Sequence, residues 1–221
     1  MSDTSPLIDS ADTVDADEAP VTRKRPKPGE RRVQILQALA AMLEQPGAER
    51  ITTAALAARL SVSEAALYRH FASKAQMFEG LIDFIEQSIF TLVQQIVGRD
   101  VPPPDQSVEV GLRQAGRIVA LVLQFGERNP GMVRVMVGDA LVFENERLQQ
   151  RMNQFFDRIE SSLRQCLRPA SQSSETPTVQ AQVQASMLTS FALGRLQRFA
   201  RSGFRRMPTE HMEASLALML H

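Results

Sequence analysis

The sequence predicts an all-α protein of about nine helices, with a three-helix head near its N-terminus and a larger helical body. Three observations carry that expectation. Apolar residues recur at spacings of three and four along most of the 221 residues, and no alternation is long enough for a strand. Leu, Ala, Gln, Arg and Met are plentiful, Trp is absent and aromatics make up only 5% of the chain, a composition that favours helix over sheet. Residues 52–71, TTAALAARLSVSEAALYRHF, read as two short helices joined by a tight turn at Ser61-Val62.

Each element follows from local signals. Residues 1–29 are rich in Asp, Ser, Thr and Pro and lack apolar periodicity, so they are expected to form a disordered arm, first acidic and then basic. The first helix is expected over 30–45, from Leu36, Leu39, Ala40 and Leu43, and Gln45-Pro46-Gly47 ends it. The second opens at Thr52, a natural N-cap, and buries Leu56 and Leu60. The third runs from Ser63 to Phe71, with Ser61 and Glu64 at capping-box spacing.

The fourth helix, 73–98, carries one stripe of Phe78, Leu81, Ile82, Ile85, Ile89, Leu92, Val93 and Ile96. Gly98 and the prolines at 102–104 end it. A fifth covers 106–125, and Asn129-Pro130 reads as the N-cap and first residue of a short sixth. The seventh, 139–168, places Leu148, Met152, Phe155, Phe156, Ile159, Leu163, Cys166 and Leu167 on one face.

Residues 169–177 read as a loop. The eighth helix, 178–201, is apolar on more than one side: Val183, Met187 and Phe191, but also Leu188, Ala192, Leu196 and Phe199. A face that wide must be buried twice, in its own core and elsewhere. Ala192 and Gly194 would let a neighbouring helix approach closely. A ninth helix at 208–220 ends the chain.

The formal net charge is zero, yet the average conceals an asymmetry. Residues 1–20 hold six acidic and no basic residues, whereas 23–74 hold ten basic against four acidic, a net +6. A basic block over one small region is the electrostatic footprint of phosphate contact. The single cysteine, Cys166, excludes an internal disulfide, fits a reducing compartment and lies on the apolar stripe of the seventh helix, where an inert core thiol is expected.

The acidic start has no apolar core of a secretory signal, and no apolar run approaches the roughly 20 residues of a membrane helix. A cytoplasmic protein without a membrane partner is expected. His70, His211 and His221 have no metal spacing with one another or with Cys166. No Ser-His-Asp set and no Gly-rich phosphate loop is present, so the chain is expected to be no enzyme and to need no cofactor or metal.

In a helix-turn-helix the second helix lies in the major groove and its exposed face reads base edges. Leu60, Val62 and Leu67 would pack inward, leaving Ser63, Glu64, Ala65, Ala66, Arg69 and Tyr68 for DNA. Arg69 has the reach for a bidentate contact to guanine, and Ala65 and Ala66 suit thymine methyls. Thr52, Thr53, Tyr68, His70 and Lys74 suit phosphates, which fix register without reading sequence.

LYRHFASK at 67–74, after Val62-Ser63 and an ITTAALA helix, resembles the signature of the TetR-type regulators. The resemblance implies a DNA head of three helices, a fourth linking it to the body, and a four-helix dimer interface built by the last two. Ser61 stands where such turns usually carry Gly, which strains the turn.

The segments 50–88, FGERNPGM at 125–132 and DALVFENERLQQRMNQFFDRIESSLRQCLR at 139–168 are similar to the nucleoid occlusion branch of that family. That similarity is strong over 30–168 and fades in 1–29 and 169–221. It implies binding to palindromic sites on double-stranded chromosomal DNA, as a homodimer associated with the nucleoid. It also implies that the DNA-bound protein contacts the tubulin-like division protein FtsZ and blocks septum assembly, with no small-molecule ligand.

By position, the resemblance assigns the FtsZ-facing surface to Phe84, Leu121, Arg128 and Asn129, and Leu92 occupies a position that is basic in some relatives. On a helical wheel Phe84 lies about 120° from the centre of the fourth-helix stripe, so it is either exposed or buried against something other than the main core. Leu121 falls near the polar edge of its helix.

The chain is thus expected to divide into an arm (1–29), a DNA-binding head (30–74) and a body for dimerisation and partner binding (75–221). Two other readings remain open: a repressor released from DNA by a small molecule held in the body, and an architectural protein with little sequence preference. A large enclosed apolar pocket would favour the former.

Overall fold

The computed structural model describes residues 29–45, 51–99, 106–172 and 175–220. The arm expected over 1–28, Pro46-Gly47 and the prolines at 102–104 lie outside the described residues. Among the described residues there are nine α-helices and no strand. They are α1 (Glu30–Leu43), α2 (Thr53–Arg59), α3 (Glu64–Tyr68), α4 (Lys74–Arg99), α5 (Ser107–Arg128), α6 (Pro130–Met136), α7 (Glu146–Leu167), α8 (Pro177–Arg201) and α9 (Met212–Met219).

Helix α1 turns its face one position from the expected one. Ile35, Leu39 and Leu43 are fully buried, while Leu36 and Ala40 are only partly covered. Leu36 instead lies against Gly80 of α4, where a Cβ would stand 3.1 Å from its methyls. The expected seventh helix begins seven residues late. Gly138 takes a left-handed φ of 85°, a short 3-10 turn follows at Asp139–Leu141, and Asn145 then caps α7 by accepting from the Arg147 amide at 2.9 Å. From there the expected α7 stripe is buried from Leu148 to Leu167.

The α4 stripe holds from Phe78 to Ile89 and then drifts. Leu92 is 43% exposed and Ile96 is half-buried, whereas Val93 is buried. The contact line follows the i+4 row Ile85, Ile89, Val93, which is inclined to the helix axis, so Leu92 falls off it.

The long helices run alternately away from the head and back. Lys74 pairs with Glu144 at 2.5 Å and Arg147 pairs with Glu79, so α4 and α7 both start at the head side. At the far end Gly111 of α5 rests on the Cys166 carbonyl of α7. Gly126 near the end of α5 meets Leu196 near the end of α8, which brings α8 back to the head. One apolar cluster runs through all of this, from Ile35 and Leu67 through Ile82 and Val122 to Phe155 and Leu196.

Head and body also touch backbone to backbone. A Cβ on Gly131 of α6 would collide with the Ala40 carbonyl oxygen of α1. Gly131→Ala therefore forces the two helices apart. A cost of about 1–3 kcal/mol is expected, read as a fall in the thermal midpoint of several degrees; an unchanged midpoint would refute the contact.

Candidate nucleic-acid interface and partner surface

Side-chain caps set both short helices of the head. Thr52 Oγ1 accepts from the Ala55 amide at 3.1 Å and opens α2. Helix α3 is opened not by Ser61, as capping-box spacing suggested, but by Ser63, whose Oγ accepts from the Ala66 amide at 3.3 Å. Ser63 has the extended backbone an N-cap requires (φ −79°, ψ 153°). Ser61 sits in the turn at φ 53°, where the Val62 amide reaches back to the Ala57 carbonyl at 3.0 Å. That left-handed conformation costs an L-residue about 1–2 kcal/mol.

Leu67 is fully buried, and Leu60 and Val62 are half-buried against the core. The outer face of the two helices then presents Thr52, Ser63, Glu64, Ala65, Tyr68 and Arg69, with Thr53, Ala66 and His70 half-buried. Thr53 Oγ1 donates to Glu64 Oε2 at 2.5 Å and lies 3.5 Å from the Tyr68 hydroxyl, which donates to it. Glu64 thereby braces α2 against α3.

Arg32 of α1, which carries no signal in the sequence pattern, pins the end of α3. Its guanidinium donates to the His70 carbonyl at 2.6 Å and lies 4.2 Å over the Phe71 ring. Lys74 is paired with Glu144, so the last expected phosphate ligand is shared with the body.

The second surface lies on α4 and α5. Phe84 is 47% exposed, and its ring stands 6.4 Å from that of Phe125. Leu121, Phe125 and Arg128 follow one another at i, i+4 and i+7 along α5, the first two half-buried and the third exposed. Asn129 sits between α5 and α6, but its side chain does not cap α6 as expected. Its Nδ2 turns back and donates to the Phe125 carbonyl at 2.8 Å, because the exposed carbonyls ending α5 need a donor. Of the four residues named from the sequence, Phe84 and Asn129 each meet Phe125, and Leu121 and Arg128 share the Phe125 face of α5. The spacing of Phe125 from Leu121 and Arg128 was the signal.

Behind that surface α4 is fixed to α7 by a row of charges. Arg147 meets Glu79, Arg151 meets Asp83 at 2.8 Å and Glu86 at 2.7 Å, and the Arg158 guanidinium lies 3.7 Å over Phe90. Burial works against the charge on Arg151, but the two carboxylates outweigh it and hold its pKa above the ordinary value.

On α8, Leu188, Ala192, Leu196 and Phe199 are buried in the core. Ala192 therefore faces inward and is not part of an outer seam. Val179, Val183 and Met187 are more than half exposed, and a Cβ on Gly194 would meet open space.

Comparison with known proteins places the chain. Residues 35–81 match the profile of the bacterial regulatory proteins of the tetR family, and residues 111–221 match the SlmA-like tetracyclin repressor-like C-terminal domain. The nucleoid occlusion factor SlmA of Idiomarina loihiensis is 50% identical over 86% of this chain and 93% of its own length. That of Vibrio cholerae is 48% identical, over 86% and 93%. The chain belongs to the SlmA family.

It is accordingly a TetR-type DNA-binding protein that forms dimers. The match to the SlmA-like domain extends through residue 221, past the 168 up to which the resemblance was strong in the sequence. Among solved structures, FadR of Bacillus subtilis in complex with stearoyl-CoA superposes with a TM-score of 0.62 at 13% identity, covering 85% of this chain and 97% of its own. AibR in complex with isovaleryl coenzyme A and operator DNA gives 0.58 at 17%, over 85% and 97%. Those likenesses show the fold. Among the described residues no helix is long and apolar enough to cross a membrane.

Two outcomes follow from the local geometry. Ser61→Gly relieves the left-handed turn, and a stability gain of about 0.5–1 kcal/mol is expected after the entropy cost of glycine, measured by chemical denaturation; a loss would mean that Ser61 carries another role. Burial pushes the Cys166 thiol up to about 11, so at pH 8 a thiol reagent should label it only as the protein unfolds. Rapid labelling of the folded protein would contradict its burial.

Proposed function

We propose that this SlmA-family protein acts in the cytoplasm at the nucleoid. Bound to chromosomal palindromes through α2 and α3, it contacts FtsZ with the α4–α5 surface and blocks septum assembly there. One observation carries the reading: exposed Phe84 on α4, the helix that leaves the head, stands against Phe125 of α5, whose same face carries half-buried Leu121 and exposed Arg128. An exposed aromatic beside an arginine is the composition of a protein-binding hot spot.

The DNA contacts fall to the outward residues of α3. Ala65, Ala66 and Arg69 read bases, with Ser63 and Glu64 at the helix start, while Thr52, Thr53, Tyr68, His70 and Lys74 approach phosphates. The row Val179, Val183, Met187 and Gly194 on α8 supplies the dimer seam, because a row of that kind is costly to leave in water.

The packed core between the long helices supports this reading over a repressor released by a small molecule. The space between α4, α5, α7 and α8 is occupied by Ile89, Ile118, Val122, Phe155, Ile159 and Leu188, each at most 1% exposed. The CoA thioesters named for FadR and AibR belong to those proteins.

The test is sedimentation of FtsZ polymers with the purified protein, with and without a DNA pool enriched by its own binding. Polymer should be lost only when protein and selected DNA are both present. Phe84→Ala should weaken FtsZ binding by tenfold or more, a loss of roughly 1.4 kcal/mol, and leave DNA affinity unchanged. Unaltered polymer beside tight, sequence-specific DNA binding would overturn the proposal.

A further inference from the structure

The last turn of α8 and the segment that follows it carry a concentration of charge outside the head. Arg198, Arg201, Arg205 and Arg206 fall within nine residues, and together with Ser202 they line a surface cavity of about 360 Å³ with no acidic side chain in its wall. All four arginines are exposed.

The segment is held in one shape. Ser202 Oγ accepts from the amides of Arg205 at 3.1 Å and Arg206 at 2.9 Å, and Gly203 and Phe204 both take φ 62°. Phe204 packs on Phe199 with ring centroids 5.1 Å apart, and the Arg134 guanidinium of α6 lies 5.3 Å over it. Cations near a helix C-terminus offset its dipole, but that effect fades within the last turn. Arg205 and Arg206 lie beyond it.

Position identifies the polyanion. Helix α8 returns to the head side, and α6, which carries Arg134 against this tip, rests through Gly131 on α1 of the head. Arg198 and Arg201 also continue the α8 row of Met187 and Gly194 at helical spacing. In a dimer joined along that row, the two tips stand at the head-side end of the seam, between the two heads.

We propose that the Arg198–Arg206 tip is a second DNA-contacting element. It binds phosphates of duplex DNA between the two half-sites and carries no base preference. The inference goes beyond the head's reading of DNA, and its position between the heads rests on the proposed α8 seam.

The test compares the full-length protein with the triple variant Arg201→Gln, Arg205→Gln, Arg206→Gln across a salt series, on selected and on random duplex DNA. If each protomer thereby neutralises two fewer phosphates, the slope of log affinity against log salt should become shallower by about 3.6 units per dimer. Preference for the selected sequence should persist, and affinity for random duplex should fall at least tenfold. Replacing the same three residues by Lys should restore the slope.

Arg69→Ala separates the two DNA readings, since it should relax sequence preference while keeping most of the salt slope. An unchanged slope in the glutamine variant would overturn the proposal. So would an unchanged slope together with weakened binding to phosphatidylglycerol vesicles, which would assign the tip to a membrane surface. Loss of the dimer in the glutamine variant, seen by sedimentation, would also overturn it, by assigning these residues to the seam.

Discussion

The backbone of α6 rests directly on the backbone of α1 at Gly131 and Ala40, and the rest of the molecule is arranged around that approach. Two helices come this close only where one of them lacks a side chain. Here the pair joins the element that carries the reading head to the element that follows α5. With α4 running unbroken from Lys74 to Arg99, the head is fixed to the body at two separate places. A rotation of the head must therefore move α4, α6 or both.

This constraint gives the α4–α5 surface its meaning. Phe84 lies on the helix that leaves the head, and Asn129 ties the end of α5 to the start of α6 through the Phe125 carbonyl. Arg151, held between Asp83 and Glu86, fixes the opposite side of α4 to α7. Such partly exposed ion pairs add little stability individually, but they oppose rotation of α4 about its own axis. On the proposed function, an operator that selects one spacing of the two heads would bias the same helices that bear Phe84, Leu121 and Arg128. Coupling between two sites requires a shared element of this kind.

Much of this was legible from spacing alone. The α7 stripe from Leu148 to Leu167 is buried as expected, because a helical period kept over the whole element leaves one face for the core. The two apolar sides of α8 were equally plain, and periodicity grouped Ala192 with Leu188, Leu196 and Phe199, all of them buried. What escaped the sequence depends on tertiary geometry. Leu92 has the right spacing for the core, yet the inclined contact line leaves it outside.

The Thr52 cap was recognisable by type and by position, whereas the two later caps were recognisable by type alone. Two serines two residues apart both fit a helix start, and only the left-handed backbone of Ser61 decides for Ser63. Asn129 reads as a cap from its neighbour Pro130, whereas its amide serves the preceding helix, a choice set by which backbone group lacks a partner. Phe125 was marked in the sequence only by its spacing from Leu121 and Arg128, and the fold adds Phe84 against it.

Hydrogen exchange of the free protein against the operator-bound protein addresses the central claim most directly. If head and body move as one unit through α4 and α6, operator should alter protection in peptides covering 81–90 and 121–136 as well as in α1 to α3. Protection confined to α1, α2 and α3, with those body peptides unchanged, would contradict it.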